Sequence, residues 1–197
     1  MAARFYAIKD EVRIIGFDDG PFRRGQETTL VVGAVYRGGR SMDGLVSTQV
    51  AVDGLDSTVR LASLINASRF RDVRVIMVDG IAFGGFNVVD IHGLYKDTGI
   101  PVIAVTRDMP DFNAIEAALR HLPDSQTRWR LIKSAGEPAP VETRPGKSVH
   151  IQSAGISVGD AQAIVKISAT RSLIPEPIRV AHLVAQGIVS GQSKGKA

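Results

Sequence analysis

Residues 73–90 read VRVIMVDGIAFGGFNVVD, and this stretch decides the fold. It opens with a continuous apolar run that ends at Val78, which is typical of a strand buried on both faces of a sheet. Asp79 ends the run, and a glycine-rich loop follows before a helical pattern begins at Asn87. Strand, acidic residue, loop and helix in this order indicate an α/β sheet whose functional residues lie where strands end.

A second apolar segment near the N-terminus also ends in acidic residues. Residues 13–17, RIIGF, are followed by Asp18 and Asp19. If the sheet makes Asp18 and Asp79 neighbours, they predict a metal site, because paired carboxylates repel one another unless a cation lies between them. Magnesium suits oxygen ligands and can activate water for attack on a phosphodiester. The alternative is that each aspartate is only a strand-end or turn residue.

The remaining segments predict a mixed sheet with helices on its faces. Residues 29–37 and 44–53 are rich in β-branched residues and, with residues 12–18, predict three antiparallel strands. Alternating strands and helices follow, which is the element order of a ribonuclease-H-like α/β fold, and in that fold Asp18 lies beside Asp79. The later predicted elements are helices 56–68, 87–96, 111–122, 158–168 and 175–189, strands 101–105 and 148–153, and a loop or edge excursion at 134–147.

Composition narrows the class of protein. The chain has 197 residues, of which 44% are hydrophobic, so we expect one domain over residues 1–191 and a disordered tail over 192–197. No apolar run reaches membrane-spanning length and the N-terminal residues lack the apolar block of a secretory signal, so we expect a cytoplasmic protein. With no cysteine and four histidines, a metal site would use oxygen ligands. The net charge of +4 is compatible with a nucleic-acid partner.

Two further groups of residues could contribute to such a site. Asp53 and Asp56 follow the third predicted strand, and we favour Asp56 as a third carboxylate, although it could be the N-cap of the first helix and Asp53 a turn residue. On the last helix, Glu176, Arg179 and His182 recur at intervals of three. They form either an exposed polar face with one weak ion pair, or a functional face on which Arg179 contacts phosphate and His182 carries a proton.

Glycine-rich loops beside a metal site allow a nucleic-acid backbone to approach closely. An aromatic side chain in such a loop, here Phe83 or Phe86, either stacks on a base or belongs to the core. The predicted nucleic-acid contacts are Arg37, Gly80, Gly84, Gly85, Phe86 and Arg179.

Several of these segments resemble an archaeal family of endonuclease-V-like proteins, also called endonuclease dU. The resemblance runs from Val12 to Gly191, and residues 78–91, VDGIAFGGFNVVDI, carry it most specifically. The other matching segments are GFDDGPF at 16–22, VYRGG at 35–39, VDGLDST at 52–58, TGIPVIAVTR at 98–107 and IPEPIRVAHLVA at 174–185.

More distantly, the chain is similar to endonuclease V, a repair nuclease that cuts near deaminated bases. The shared motifs are Gly-x-Asp at residues 16–18, Val-Asp-Gly at 78–80 and Pro-Glu-Pro-x-Arg at 175–179. The chain lacks the third-strand glutamate and the Pro-Tyr-Ile-Pro segment of endonuclease V. Ile156 stands where that family has a late active-site histidine, and His182 replaces an aspartate of its last helix.

The resemblance implies a magnesium-dependent endonuclease, with manganese as a possible substitute, that hydrolyses DNA containing uracil or hypoxanthine. Asp18, Asp79 and Asp56 would hold the metal, with Asp53 as the alternative third carboxylate and His182 as an additional catalytic residue. Two other functions stay open at this point. One is a non-catalytic nucleic-acid-binding module of the same fold, and the other is a ribonuclease directed at inosine.

Overall fold

The computed structural model describes residues 7–194, so residues 195–197 of the predicted tail lie outside the described residues. The strands are β1 (Arg13–Asp19), β2 (Thr28–Arg37), β3 (Ser41–Ala51), β4 (Val75–Asp79), β5 (Ala82–Phe83), β6 (Asn87–Val88), β7 (Val102–Thr106), β8 (Ala139–Arg144) and β9 (Lys147–Ala154). The helices are α1 (Ser57–Ala67), α2 (Ile91–Thr98), α3 (Phe112–Leu119), α4 (Ser125–Ser134), α5 (Val158–Ser168) and α6 (Glu176–Ser190). Within the described range, no helix is both long enough and apolar enough to cross a membrane.

Seven strands form one mixed sheet in the order β3-β2-β1-β4-β7-β9-β8. The first three strands are antiparallel to one another, and β4 and β7 run parallel to β1. β9 and β8 then complete the sheet in antiparallel pairs. The predicted strand order is therefore confirmed: β1 lies inside the sheet and β4 lies beside it in parallel.

Helices cover both faces of this sheet because its inner strands are apolar on both sides. Phe17 and Leu61 belong to the core between the sheet and helices α1 and α2. Ile14 and Ile178 belong to the core on the opposite face, beneath α5 and α6. Full burial of one such side chain contributes about 1.5–3 kcal/mol, so the two cores fix the helices on the sheet.

Gly16 determines how closely α6 approaches β1. A Cβ atom at this position would lie 2.5 Å from the carbonyl carbon of Pro177 and 2.6 Å from the nitrogen of Ile178. Any side chain at Gly16 would therefore displace the helix. Asp18 lies two residues further along the same strand and faces the same helix, because side chains alternate between the faces of a strand.

Helix α2 begins four residues later than the sequence predicts. Asn87 and Val88 instead pair with Ala82 and Phe83 in the short β5–β6 hairpin. Asp90 then caps α2, because its side chain accepts hydrogen bonds from the first backbone N–H groups of the helix.

Two other elements differ from the sequence interpretation. Helix α4 was not predicted, because its buried side includes Arg128 beside Ile132 and so lacks an apolar pattern. The segment predicted as a loop or edge excursion contains β8, an edge strand that pairs with β9 alone. Pro140 is compatible with that position because an edge strand has one side without ladder hydrogen bonds.

Candidate metal and nucleic-acid site

Three side chains converge at the carboxyl ends of β1 and β4. Phe17 pairs with Val78 in the parallel ladder, so Asp18 and Asp79 are the next residues of the two strands. Helix α6 adds His182, whose Nδ1 donates a 2.7 Å hydrogen bond to Oδ2 of Asp18. One potential ligand atom from each of Asp18, Asp79 and His182 lies within 4.8 Å of the others. We refer to these three residues as the metal group.

The metal group concentrates negative charge in a partly closed space. Asp18 is only 4% exposed. Burial, and after it the charge of Asp18, raises the pKa of Asp79 to about 7. The hydrogen bond to Asp18 raises the pKa of His182, although burial acts in the opposite direction. A positive charge between the two aspartates is therefore favourable.

These donors suit a divalent metal ion. A cation between the two carboxylates removes the repulsion that raises the pKa of Asp79. Two carboxylate oxygens and one imidazole nitrogen are ligands for ions such as Mn²⁺ or Zn²⁺, while Mg²⁺ prefers the oxygens and water. His182 must be neutral to bind a metal, so a metal and a proton compete for it. The sequence predicted oxygen ligands alone, and the structure adds this nitrogen.

Asp19 lies next to the metal group but contacts the glycine loop, residues 84–85. Its Oδ2 accepts a 2.8 Å hydrogen bond from the backbone N–H of Gly84. Burial raises the pKa of Asp19 to about 6, against the opposing effect of this hydrogen bond. Asp19 therefore joins the end of β1 to the glycine loop, a role that the sequence did not indicate.

Asp53 lies outside the metal group. It has a φ of +50°, and its Oδ1 accepts a 2.8 Å hydrogen bond from the backbone N–H of Phe86. A Cβ atom at Gly85 would lie 2.3 Å from the same Oδ1, so this loop requires glycine there. Gly84 and Gly85 thus shape the loop around Asp53 and Asp19.

Asp56 also lies outside the metal group, so the structure does not bring the predicted third carboxylate, Asp56 or Asp53, to Asp18 and Asp79. Oδ1 of Asp56 accepts a 2.7 Å hydrogen bond from the side chain of Asn87, and Arg60 donates to its Oδ2 at 3.1 Å. Burial raises the pKa of Asp56, but its hydrogen bonds together lower that pKa below the ordinary value. The physical reason is topological, because β3 is separated from β1 by β2.

Two arginines that we expected at the nucleic acid have other partners. Arg179 forms two hydrogen bonds with buried Glu176, at 2.9 and 2.7 Å. Arg37 pairs with Arg13 at the start of β1, the end of the strand opposite to Asp18, and forms a 3.0 Å ion pair with Asp43. Their contacts with nucleic acid stay predictions, and the structure shows only that each arginine already has an acidic partner.

Arg107 is a cation at the site that the sequence interpretation missed. Val105 pairs with Asp79 across β7 and β4, and Arg107 follows two residues later at the same edge of the sheet. It is exposed, and its charge opposes the effects of burial and of Asp18 on the pKa of Asp79. The sequence signal for Arg107 is its position directly after β7, because β7 lies beside β4 in parallel and ends at the same edge of the sheet.

One hollow contains the metal group, and the lining of a second begins at the residue after Asp79. The first is a cleft of about 410 Å³ whose walls include the metal group, Pro21 and Phe22. The second is an apolar cavity of about 200 Å³ that begins at Gly80, directly after Asp79. Phe86 lines this cavity, and Gln152 is one of its few polar groups.

Arg128 joins Phe86, which lines the apolar cavity, to other loops through hydrogen bonds. Its side chain is 1% exposed and lies on α4. It donates hydrogen bonds to four backbone carbonyls, those of Pro123 at 3.1 Å, Gly54 at 2.7 Å, Asp53 at 2.6 Å and Phe86. Arg128 on helix α4 is therefore bonded to the β3–α1 turn and to Phe86, the residue that follows the glycine loop.

The sheet order and the acidic strand ends define the class of fold. The structure of Ciona intestinalis endonuclease V in complex with a 24mer DNA containing an inosine followed by a ribo-adenosine has a TM-score of 0.61 to this chain, over 91% of this chain and 86% of that one. Its sequence is 17% identical, so the likeness shows the fold alone. The predicted ribonuclease-H-like fold is confirmed.

The chain belongs to the endonuclease dU family, whose model matches residues 10–189. It is 50% identical to a UPF0215 protein of Methanothermobacter thermautotrophicus, over 98% of this chain and 95% of the relative. A crystal structure of a protein of unknown function from Archaeoglobus fulgidus is 38% identical, with a TM-score of 0.81 over 89% of this chain and 97% of that one. The predicted resemblance is confirmed, and the family together with the fold indicates a nuclease.

Proposed function

We propose that this protein is a metal-dependent endonuclease that hydrolyses phosphodiester bonds in DNA containing a deaminated base, uracil or hypoxanthine, and thereby acts in DNA repair. The observation that carries the proposal is the convergence of Asp18, Asp79 and His182 at one edge of the sheet. The endonuclease dU family supports a nuclease. The inosine-containing DNA bound by endonuclease V of Ciona intestinalis supports a deaminated base.

Asp18 and Asp79 would hold magnesium, or manganese, and His182 would complete the metal group. When bound, such an ion polarises the phosphate and lowers the pKa of a coordinated water. Arg107 extends from the same edge of the sheet and is placed to bind a phosphate oxygen. His182 would have to be neutral to bind the ion, so acid conditions would oppose metal binding.

The apolar cavity beside Gly80 supports recognition of an unstacked base. Its walls are mostly apolar, which suits a base turned out of the helical stack, and its lining begins at Gly80, the residue after Asp79. Deamination of cytosine or adenine replaces an amino group with a carbonyl and turns the neighbouring ring nitrogen into an N–H donor. The side-chain amide of Gln152 has one acceptor and two donor hydrogens, so it can match this altered edge.

The test is a cleavage assay on matched oligonucleotides. Single-stranded and duplex DNA, and the equivalent RNA, would carry uracil, hypoxanthine or only ordinary bases, with magnesium, manganese or a chelator. We expect cuts that require both a deaminated base and the metal. Cutting of inosine-containing RNA alone would establish a ribonuclease instead. Binding without any cutting would establish a nucleic-acid-binding module and refute the catalytic proposal.

Replacing Gln152 tests the assignment of the cavity. Gln152→Leu keeps the size of the side chain but removes its hydrogen-bonding groups. We expect the ratio of kcat/KM for deaminated over ordinary DNA to fall about tenfold, which corresponds to one hydrogen bond of about 1.4 kcal/mol. The measurement is kcat/KM on both substrates.

Gln162→Leu is the matched control for this variant. Gln162 lies on α5 and donates to the carbonyl of Pro140, away from the cavity. A ratio that stays at the wild-type value in Gln152→Leu, or that falls equally in Gln162→Leu, would remove Gln152 from the base site. Because Gln152 also donates to the carbonyl of Gly136, Tm is compared in parallel.

A further inference from the structure

The β1–β2 loop, residues 20–27, stands directly beyond the metal group. It has eight residues between Asp19 and Thr28, whereas hairpin loops commonly have about two to five. The loop is anchored at its first residue, since Gly20 donates to the carbonyl of Leu30 at 2.7 Å and accepts from Oγ1 of Thr29 at 2.9 Å. Long but anchored loops of this kind commonly serve a function.

A turn closes the middle of the same loop. The backbone N–H of Gln26 donates to the carbonyl of Arg23 at 3.1 Å. The side-chain Oε1 of Gln26 accepts from the backbone N–H of Arg23. Gly25 has a φ of +84°, which completes the turn. The loop is therefore a defined structure on an anchored base.

Phe22 is an exposed aromatic residue in the wall of the cleft that contains the metal group. It is 38% exposed and lines this cleft together with Pro21. Phe22 belongs to none of the apolar clusters found among residues 7–194. A phenylalanine without a core role has a face available for stacking, and every nucleic-acid base can stack on such a face.

The negative charge around the cleft favours cations in this loop. Asp18, Asp19 and Asp79 line the cleft and repel a phosphodiester. Arg23 and Arg24 follow Phe22 directly and are exposed. Neither forms an ion pair with any residue of the described part of the chain. Their charge is thus available for a phosphate backbone.

We infer that the β1–β2 loop is a nucleic-acid contact, in which Phe22 stacks on an unpaired base beside the scissile phosphate and Arg23 and Arg24 bind the flanking backbone. This inference rests on the proposed function, and it names a single-stranded or locally unpaired strand as the form of substrate that the cleft accepts. A ring and two guanidinium groups in sequence provide both stacking and phosphate binding, the combination typical of single-strand binding sites.

Three substitutions of Phe22 test the stacking contact by direct binding. The probe is a fluorescein-labelled, undamaged single-stranded DNA oligonucleotide with magnesium, followed by fluorescence anisotropy. We expect Phe22→Ala and Phe22→Leu to weaken binding on the order of tenfold, because both remove the aromatic face. Phe22→Tyr keeps the face and is expected to bind about as tightly as the wild type. Leu45→Ala, at an exposed apolar residue of β3, is the control.

The arginines are tested by the salt dependence of the same binding. The double variant Arg23→Gln, Arg24→Gln is expected to lower the slope of log Kd against log salt concentration by about 1.4, because each phosphate contact to a single strand contributes about 0.7. The matched control is Arg40→Gln, Arg69→Gln, which removes two exposed arginines elsewhere on the surface and is expected to keep the wild-type slope.

The outcomes separate this inference from the proposed function. Wild-type affinity in Phe22→Ala, an equal loss in Phe22→Tyr, or no binding by the wild type would overturn the inference. Lesion-dependent cleavage could still occur in the first two cases, and the proposed function would then stand alone. If the Phe22 pattern holds but no substrate is cut, the loop contact stands and the catalytic proposal fails.

Discussion

Asp79→Asn is expected to stabilise the metal-free protein at pH 8 and, at the same time, to remove metal-dependent cleavage. Burial and the charge of Asp18 raise the pKa of Asp79 from 3.8 to about 7 in the folded protein. Burying the ionised Asp79 carboxylate lowers the free energy of unfolding. Asparagine has no charge to bury, so the variant avoids this loss of stability. We expect a gain of about 1–2 kcal/mol, less than the full pKa shift implies because the side chain is partly exposed.

The sign of this effect depends on pH. A carboxyl whose pKa is raised by folding holds its proton more tightly in the folded state. Below pH 3.8, Asp79 therefore does not affect the free energy of unfolding of the metal-free wild type. That free energy falls as pH rises from 3.8, and above about pH 7 the destabilisation by ionised Asp79 is complete. The difference in Tm between Asp79→Asn and the wild type should be a few degrees at pH 8 and should vanish near pH 4.

Metal is expected to reverse the order of the Tm values of the wild type and Asp79→Asn. Magnesium is expected to raise the Tm of the wild type, since a ligand that binds only the folded state stabilises it, and to leave Asp79→Asn almost unchanged. Cleavage should fall on the order of a thousandfold. Asp108→Asn, at an exposed carboxylate, is the control for the substitution itself. Metal-induced stabilisation of Asp79→Asn equal to that of the wild type would refute the metal group.

Arg128→Met is expected to lower the free energy of unfolding by about 3–4 kcal/mol. The substitution leaves four backbone carbonyls without their buried donor, and one of them belongs to Phe86, which lines the apolar cavity. A buried acceptor that loses its partner costs about 1–3 kcal/mol, and partial entry of water reduces the sum. Urea denaturation monitored by the fluorescence of the single tryptophan would measure the change.

Arg130→Met provides the matched control because Arg130 lies on the same helix and is exposed. Its substitution is expected to change the free energy of unfolding by less than about 0.5 kcal/mol. Arg128→Lys should fall between the two, since a lysine keeps the charge but cannot reach four carbonyls in the planar arrangement of a guanidinium. A loss below about 1 kcal/mol in Arg128→Met would contradict the role assigned to this cation.

The pair of strands that carries the site could be predicted from the sequence because its signal is local. An apolar run that ends in an acidic residue occurs before Asp18 and again before Asp79. The order of elements along the chain then makes the two strands parallel neighbours. Neither step requires knowledge of a side-chain contact, which is why both succeed without a structure.

The third member of the metal group could not be chosen by the same reasoning. Asp56 and His182 both lie on elements that the sequence identifies, but the choice depends on which side chain reaches the strand ends. Asp56 is near Asp18 along the chain and separated from it by β2 in space, whereas His182 is distant along the chain and in contact with Asp18. The buried position of Arg128 was missed for a related reason. A charged residue in the sequence indicates a solvent-exposed position, although Arg128 is buried on α4.

Helix α6, which packs closely against Gly16, is synthesised late, and this affects when the metal group can form during synthesis. Both aspartates leave the ribosome early, but the histidine that joins them is 164 residues behind Asp18. Domains begin to fold during synthesis from their N-terminal side, so a growing chain can assemble its strands before the last helix exists. An unfinished chain, or one trimmed at its C-terminus, carries two acids without their third partner. Because His182 lies on α6, a chain that lacks this helix has no complete metal group.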